Sequence, residues 1–326
     1  MHKIGHLIMS KNFAGIEQHV DEITNEINQS SKYHCVVIGD KILKEKFKSN
    51  KYINFQNKYR YSILNLVKLK RIIKNNNIQI LHCHGSKSMQ IGNLIKMVTN
   101  IKIIGTLHSL KKRPVNLQKF DYIIAVNQAL KPSSEKSSVV NNWINPKLRL
   151  ATSSRNGSYI AVGRLEKVKR FDLLINAWKE IDEDLIIIGD GNEINNLQNL
   201  IKENNSTNIK ILTKISTDQL SEMYSQAKGL IISSSREGGP RVAIEALAYG
   251  VPVFGCNVGM LEEIITKELL VDPNKEDEFV KLIRDTLPHI QNYSFDALQD
   301  MVLEKFTVAR ASLEHIGIYD YLVSND

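Results

Sequence analysis

The chain has 326 residues, 42% hydrophobic and 24% charged, which suits two ordinary domains with real cores and excludes global disorder. No run approaches the roughly 20 apolar residues of a membrane span, and three scattered cysteines, Cys35, Cys83 and Cys256, argue against a disulfide framework and for a reducing cytoplasm. The net charge of +8 is divided unevenly, with 25 Lys+Arg against 8 Asp+Glu over residues 1–150, and every charged side chain from 46 to 74 is basic.

This imbalance directs the first half toward a polyanion: an anionic membrane surface, an anionic glycan or a nucleic acid. A solvated basic face in a Lys- and Asn-rich sequence gives the same numbers. The opening Met1–Met9 is too short for a signal peptide and reads as a first strand. Strand-length apolar runs follow at Ile4–Met9, His34–Ile38, Ile78–His82, Ile101–Leu107 and Tyr122–Val126, with helical patterns between them at Ile16–Ile27 and Ile63–Ile73. The segment Ser62–Asn75 is apolar on one face and rich in lysine, which suits a covering helix or a membrane-surface helix. A second series has strands at Ser158–Val162, Leu185–Ile188, Ile209–Leu212, Leu230–Ser233 and Pro252–Gly255. Its helices are Phe171–Ile181, Ile194–Asn204, Thr217–Ala227, Arg241–Tyr249 and Asp277–Thr286. Such alternation predicts two doubly wound α/β domains with parallel sheets, joined at the polar stretch Ala151–Gly157. Ligands of open parallel sheets bind at the carboxyl ends of strands, so a cleft is expected where those ends face each other.

Candidate residues fall at those ends. Gly15 sits in a glycine turn after the first strand and leaves room for a phosphate or a sugar. His82 and His84 share one face of a strand by period-two alternation, but no spaced Cys/His set completes a zinc site, so no metal is expected. His108 closes the next strand. In the second series, Arg164 and Lys169 follow a strand and can converge on a diphosphate. Asp182–Asp184 precedes a strand, at the wrong end of the sheet, and reads as a surface turn. Gly189-Asp-Gly191 is a tight turn without the third glycine of a dinucleotide fingerprint. Glu237 and Glu245 flank the start of a helix whose N-terminus favours an anion. Acids beside an anion site suit a neutral, hydroxylated ligand, and a nucleotide-sugar supplies both phosphates and hydroxyls.

Taken in order and spacing, Gly163-Arg164…Lys169, Gly189-Asp-Gly191, Glu237 through Pro252, Gly15-Ile-Glu17, His84-Gly-Ser-Lys and Thr106-Leu-His108 resemble the retaining glycosyltransferases of family four, over nearly the whole length. The resemblance implies a GT-B fold: a Rossmann-like acceptor-side domain over 1–152, a donor-binding domain over 153–288, and helices over 289–326 crossing back. It implies that Arg164 and Lys169 bind the donor diphosphate, Glu245 the ribose and Glu237 the transferred sugar. Backbone amides around Gly238, Gly239, Arg241 and Val242 would hold phosphate and sugar, with His108 near the sugar and Gly15 over the phosphates. Neither metal nor cofactor is implied, and anomeric configuration is retained. The expected partners are a nucleotide-sugar donor, an anionic glycan or lipid-linked acceptor and an anionic membrane surface, with a cytoplasmic location peripheral to the inner membrane face. Two departures stand out: Ala14-Gly15 replaces a glycine pair, and Gly239-Pro240-Arg241 replaces an aromatic and an aliphatic residue. The rival readings are a sugar-nucleotide epimerase of the same shape and a basic nucleic-acid-binding protein. The second lacks any motif of basic residues interleaved with aromatics.

Overall fold

Short β-branched runs without polar alternation become strands buried on both faces, and amphipathic stretches between them become the helices that cover them. The computed structural model describes residues 2–30, 32–47, 51–56, 62–109, 115–151 and 154–324. It divides into two compact units, Met1–Asn142 with Val308–Asp326, and Trp143–Thr307.

The first unit runs β1 (His2–Leu7), α1 (Gly15–Asn28), β2 (Tyr33–Gly39), β3 (Lys51–Asn54), α2 (Ile63–Asn75), β4 (Ile80–His84), α3 (Gly85–Lys96), β5 (Lys102–Leu107), β6 (Tyr122–Ala125) and β7 (Ser137–Val139). Its sheet has the order β3-β2-β1-β4-β5-β6-β7, all pairs parallel. The second unit runs β8 (Tyr159–Val162), α4 (Phe171–Ala177), β9 (Leu185–Ile188), α5 (Ile194–Glu203), β10 (Ile209–Leu212), α6 (Thr217–Gln226), β11 (Gly229–Ile232), α7 (Arg241–Ala248), β12 (Val253–Cys256), α8 (Leu261–Ile264), β13 (Leu270–Val271), α9 (Glu276–Thr286) and α10 (Asp296–Lys305). Its parallel sheet is β10-β9-β8-β11-β12-β13. The last helix, α11 (Val308–Ser324), returns to the first unit and packs on α1.

Both sheets are doubly wound, and the strand order reverses between β1 and β4 and between β8 and β11. These reversals open the crevices that bind ligands in such sheets. Strands β3, β7 and β13 are two to four residues long, too short to show as apolar runs. Compaction separates the units at Asn142/Trp143, ten residues before the sequence boundary of 152/153. The reason is local packing: Trp143 is buried, Ile144 N–H bonds to Phe306 O at 2.9 Å, and Tyr249 Oη donates to Arg149 O at 3.0 Å. Thr152 and Ser153 of the expected linker lie outside the described residues. The rest of it is tied into the second unit, Ser154 N–H to Ser225 O and Gly157 N–H to Gln226 O, both at 2.8 Å. Of the expected 289–326 crossing, α10 stays with the second unit and α11 alone joins the first.

Candidate functional site

In the second unit the site is built from the loops that leave β8 and β11 at the reversal. The loop after β8 turns through a short 3-10 segment, Lys167–Lys169. It is stitched to the β11–α7 loop by Ser235 N–H to Val168 O at 2.9 Å and Ser233 Oγ to Lys169 O at 2.7 Å. That stitching delivers Lys169 Nζ to Glu237 Oε1 at 2.6 Å, both side chains mostly buried. The same Oε1 accepts Ser234 Oγ–H at 2.7 Å. Two residues expected to serve different parts of a donor therefore meet as a charge-assisted pair.

The lysine stem lies over Gly163, where an added Cβ would come within 2.8 Å of Lys169 Cε. Gly189 has φ +155°, and a Cβ there would sit 1.8 Å from Gly163 O. Gly189 and Gly163 thus let two backbone segments pass against each other. Arg164 pairs instead with Glu166 and is largely exposed.

Glu245 lies one helical turn into α7 and is buried. Tyr224 Oη donates to its Oε2 at 3.1 Å, and Arg241 Nε lies 3.8 Å from its Oε1. Burial, and then the Glu245 charge, raises the Tyr224 phenol well above its ordinary value, so it remains a donor. The Arg241 guanidinium sits 5.9 Å over the Trp143 ring. Gly238 and Gly239 lead into α7 through Pro240, with Val242 in the first turn. A cavity of about 520 Å³ between α4 and α5 is lined by Glu166, Asp172, Glu193 and Glu203 with Lys167 the one cation among them, a net negative lining that disfavours phosphate. Asp182–Asp184 is a turn, as expected: Glu183 O accepts from Trp178 Nε1–H and Asn208 Nδ2–H, both at 2.7 Å.

In the first unit, Gly15 opens α1 and nothing lies within 4 Å of where its Cβ would be. Glu17 holds that loop by accepting Ala14 N–H at 2.9 Å. His108 is half-buried, its Nε2 3.4 Å from His84 Nδ1. The sequence expectation that nothing completes a histidine set around His82 and His84 requires correction. Parallel pairing puts His6 beside His82 and His84 beside Thr106. Helix α1 adds His19, its ring 4.7 Å from that of His108. Helix α11 adds His315 and Tyr319, four residues apart and so on one face, with the His315 ring 5.7 Å from His82. Burial holds His6, His82, His84 and His315 neutral. His6, with His315 beside it, is lowered to about 3; His315 is lowered to about 4; His82 and His84 lie well below the ordinary value. Cys83, on the opposite face of β4, is buried in the apolar core.

The model for Glycosyltransferase Family 4 matches residues 13–146, and that for Glycosyl transferases group 1 matches 150–289. An uncharacterized glycosyltransferase of Methanocaldococcus jannaschii is 26% identical over 85% of this chain and 82% of its own. The O-antigen biosynthesis glycosyltransferase WbnH of Escherichia coli is 24% identical over 96% and 99%. Among solved structures, Anabaena HepE in complex with UDP and glucose is similar in fold, with a TM-score of 0.82 at 17% identity, covering 99% of this chain and 100% of that one. The two family models lie end to end over the two doubly wound units, and the chain belongs to the family-four, group 1 glycosyltransferases with the GT-B fold.

Proposed function

We propose that the protein moves a sugar from a nucleotide-sugar to a glycan or lipid-linked glycan during cell-surface polysaccharide or lipopolysaccharide assembly, with retention of configuration and without a metal. The observation that carries this reading is the Lys169–Glu237 pair at the β8/β11 reversal, beside the start of α7. A cation and a carboxylate already in register match a ligand with a phosphate next to hydroxyls. On donor entry Lys169 turns to the diphosphate while Glu237, still held by Ser234, accepts hydroxyls of the transferred sugar. Arg164 leaves its exposed partner Glu166 for the same diphosphate, and a surface pair of this kind costs little to break. Glu245 takes the ribose hydroxyls, and the amides of Gly238, Gly239, Arg241 and Val242 at the positive end of α7 take phosphate and sugar. The leaving diphosphate gains charge as the glycosidic bond breaks, so these cations lower the barrier by stabilising it. His108 and Gly15 of the first unit keep the donor-side roles implied by the family resemblance.

The solved complex of HepE with UDP and glucose makes a UDP-sugar the first donor to try, and the WbnH relative favours a polysaccharide acceptor. The excess of lysine in the first unit suits an anionic acceptor or membrane face. On α2, Ile63, Leu64 and Val67 stand exposed beside Lys68, Lys70, Arg71 and Lys74, the composition of a helix that rests on an anionic bilayer. No helix among the described residues is long and apolar enough to cross a membrane.

Thermal stabilisation by a panel of nucleotide-sugars and nucleoside diphosphates tests the reading. A true donor at 100 times its Kd stabilises by about 2.7 kcal/mol. If none shifts the melting point, while nucleic acid binds with a steep salt dependence, the reading falls. Conversion of a nucleotide-sugar without any acceptor would make the protein an epimerase.

A further inference from the structure

We propose that His19, His84 and His108 form a binding site for a divalent cation of the zinc class. Their ligand nitrogens lie within 4.8 Å of one another. His84 Nδ1 and His108 Nε2 are 3.4 Å apart, and two imidazoles bound at about 2.0–2.1 Å with a tetrahedral angle stand about 3.3 Å apart. The site therefore needs almost no rearrangement along this edge.

Hydrogen bonds behind the ligands orient the rings in the way a metal requires. His19 Nδ1 faces Asn142 Oδ1 at 3.3 Å, which places its proton at Nδ1 and its lone pair at Nε2. His84 Nε2 faces His6 Nδ1 at 3.0 Å. With the metal on His84 Nδ1, one polarity runs through the whole buried chain. His84 Nε2–H donates to His6 Nδ1, and His6 Nε2–H donates to Tyr319 Oη at 3.4 Å. Tyr319 O–H donates to His82 Nδ1 at 3.0 Å, and His82 Nε2–H donates to Thr106 Oγ1 at 2.6 Å. Each imidazole N–H and the phenol O–H of the chain has an acceptor, and the chain begins on the ligand. Such outer bonds fix the tautomer and raise ligand basicity.

A second triad, His6, His82 and His84, is just as close, but its nitrogens are the links of that chain and all three rings are fully buried. His108 is the half-buried member and lines a small opening with Ile16, Gly85, Ser86 and Ser109. That opening is the side from which a cation enters and a water completes its shell. Three imidazole nitrogens select Zn²⁺ or Co²⁺ over Mg²⁺ or Ca²⁺, which prefer oxygen. One consequence rests on the donor-side role proposed above for His108: an occupied site withdraws that imidazole, so Zn²⁺ inhibits transfer and a chelator restores it. The binding test below needs no donor, so it stands or falls separately from the transferase reading.

The full-length protein is titrated with Co²⁺ and with Zn²⁺ in competition with a chromogenic chelator, Mg²⁺ serving as the control. The expected result is one equivalent of Co²⁺ with the visible absorption of tetrahedral coordination, displaced by Zn²⁺. His108→Ala, at a half-buried position that tolerates truncation, weakens binding at least a hundredfold, and so does His19→Gln. Asn142→Ala, which removes the orienting acceptor and leaves all three ligands in place, weakens it by about 10–100-fold. His289→Ala, at an exposed histidine outside the cluster, binds as the parent does. Absence of stoichiometric Co²⁺ binding, or binding by His108→Ala equal to that of the parent, overturns the assignment.

Discussion

Lys169 and Glu237, 68 positions apart in the chain, meet at 2.6 Å with about 15% of each side chain exposed. Neither is comfortable alone, because a mostly buried charge without a partner is costly. The pair is both a structural clasp between two loops and a set of groups ready to be shared with a ligand.

Lys169→Ala leaves Glu237 without its counter-charge. We expect stability to fall by about 1–3 kcal/mol and transfer to fall by about 100-fold or more. Lys169→Ala combined with Glu237→Ala recovers most of the stability in urea denaturation while transfer stays lost. If the double variant transfers as well as the parent, the pair has no part in the reaction.

Glu245→Ala tests ribose recognition. Its signature is discrimination between a nucleoside diphosphate and the 2′-deoxy analogue, measured by calorimetry. The parent prefers the ribose form by about tenfold, equivalent to about 1.4 kcal/mol, and the variant loses the preference. Tyr224→Phe, which removes the phenol that donates to Glu245 Oε2 at 3.1 Å, weakens binding by a smaller factor and costs about 1 kcal/mol of stability.

Two glycines should behave oppositely. Gly189→Ala drives a Cβ to 1.8 Å from Gly163 O at a φ of +155°, so unfolding midpoints should report a loss of about 3 kcal/mol or more. Gly15→Ala meets nothing within 4 Å and should leave stability unchanged within about 0.5 kcal/mol. Its effect, if Gly15 serves the donor phosphates, is confined to the transfer rate.

Asp320 ties α11 to the first unit through Lys32 at 2.7 Å and through Tyr33 Oη. These partners, Lys32 first, lower its carboxyl below the ordinary aspartate value. A depressed carboxylate stabilises above its unfolded-state pKa of about 3.9 and loses that contribution as pH falls through the folded value. The stability gap between the parent and Asp320→Asn should be constant from pH 7 down to about 5 and close below about 4. Its size is about 1 kcal/mol or less, since the pair is partly solvated. A gap that widens on acidification would contradict the assigned bonds.

The second unit was the more legible half. Leu185–Ile188 and Ile209–Leu212 are strands with the bounds read from their apolar runs, because buried parallel strands advertise themselves by continuous hydrophobicity. Lys51–Asn54 and Leu270–Val271 gave no such signal: the first is exposed at both ends and the second is two residues long. Lys169 and Glu237 were both identified, but nothing local announced that they bond to each other. The histidine cluster was out of reach for the same reason on a larger scale. His82 and Tyr319 are separated by 237 positions, and only the pairing of β1 with β4 and the return of α11 bring the rings together. Period-two alternation revealed that His82 and His84 share a face, and no pattern within one element could reveal His6, His19 or His315.

The return of α11 also sets an order on synthesis. The second unit is one continuous stretch, Trp143–Thr307, and has all its parts once that stretch has left the ribosome. The first unit is made from both ends of the chain, so β1 and β4 emerge early with His6 and His82 still lacking Tyr319. Those imidazoles can stay solvated and protonatable until α11 arrives. The first half of the nascent chain therefore waits, incomplete, while the second half is made.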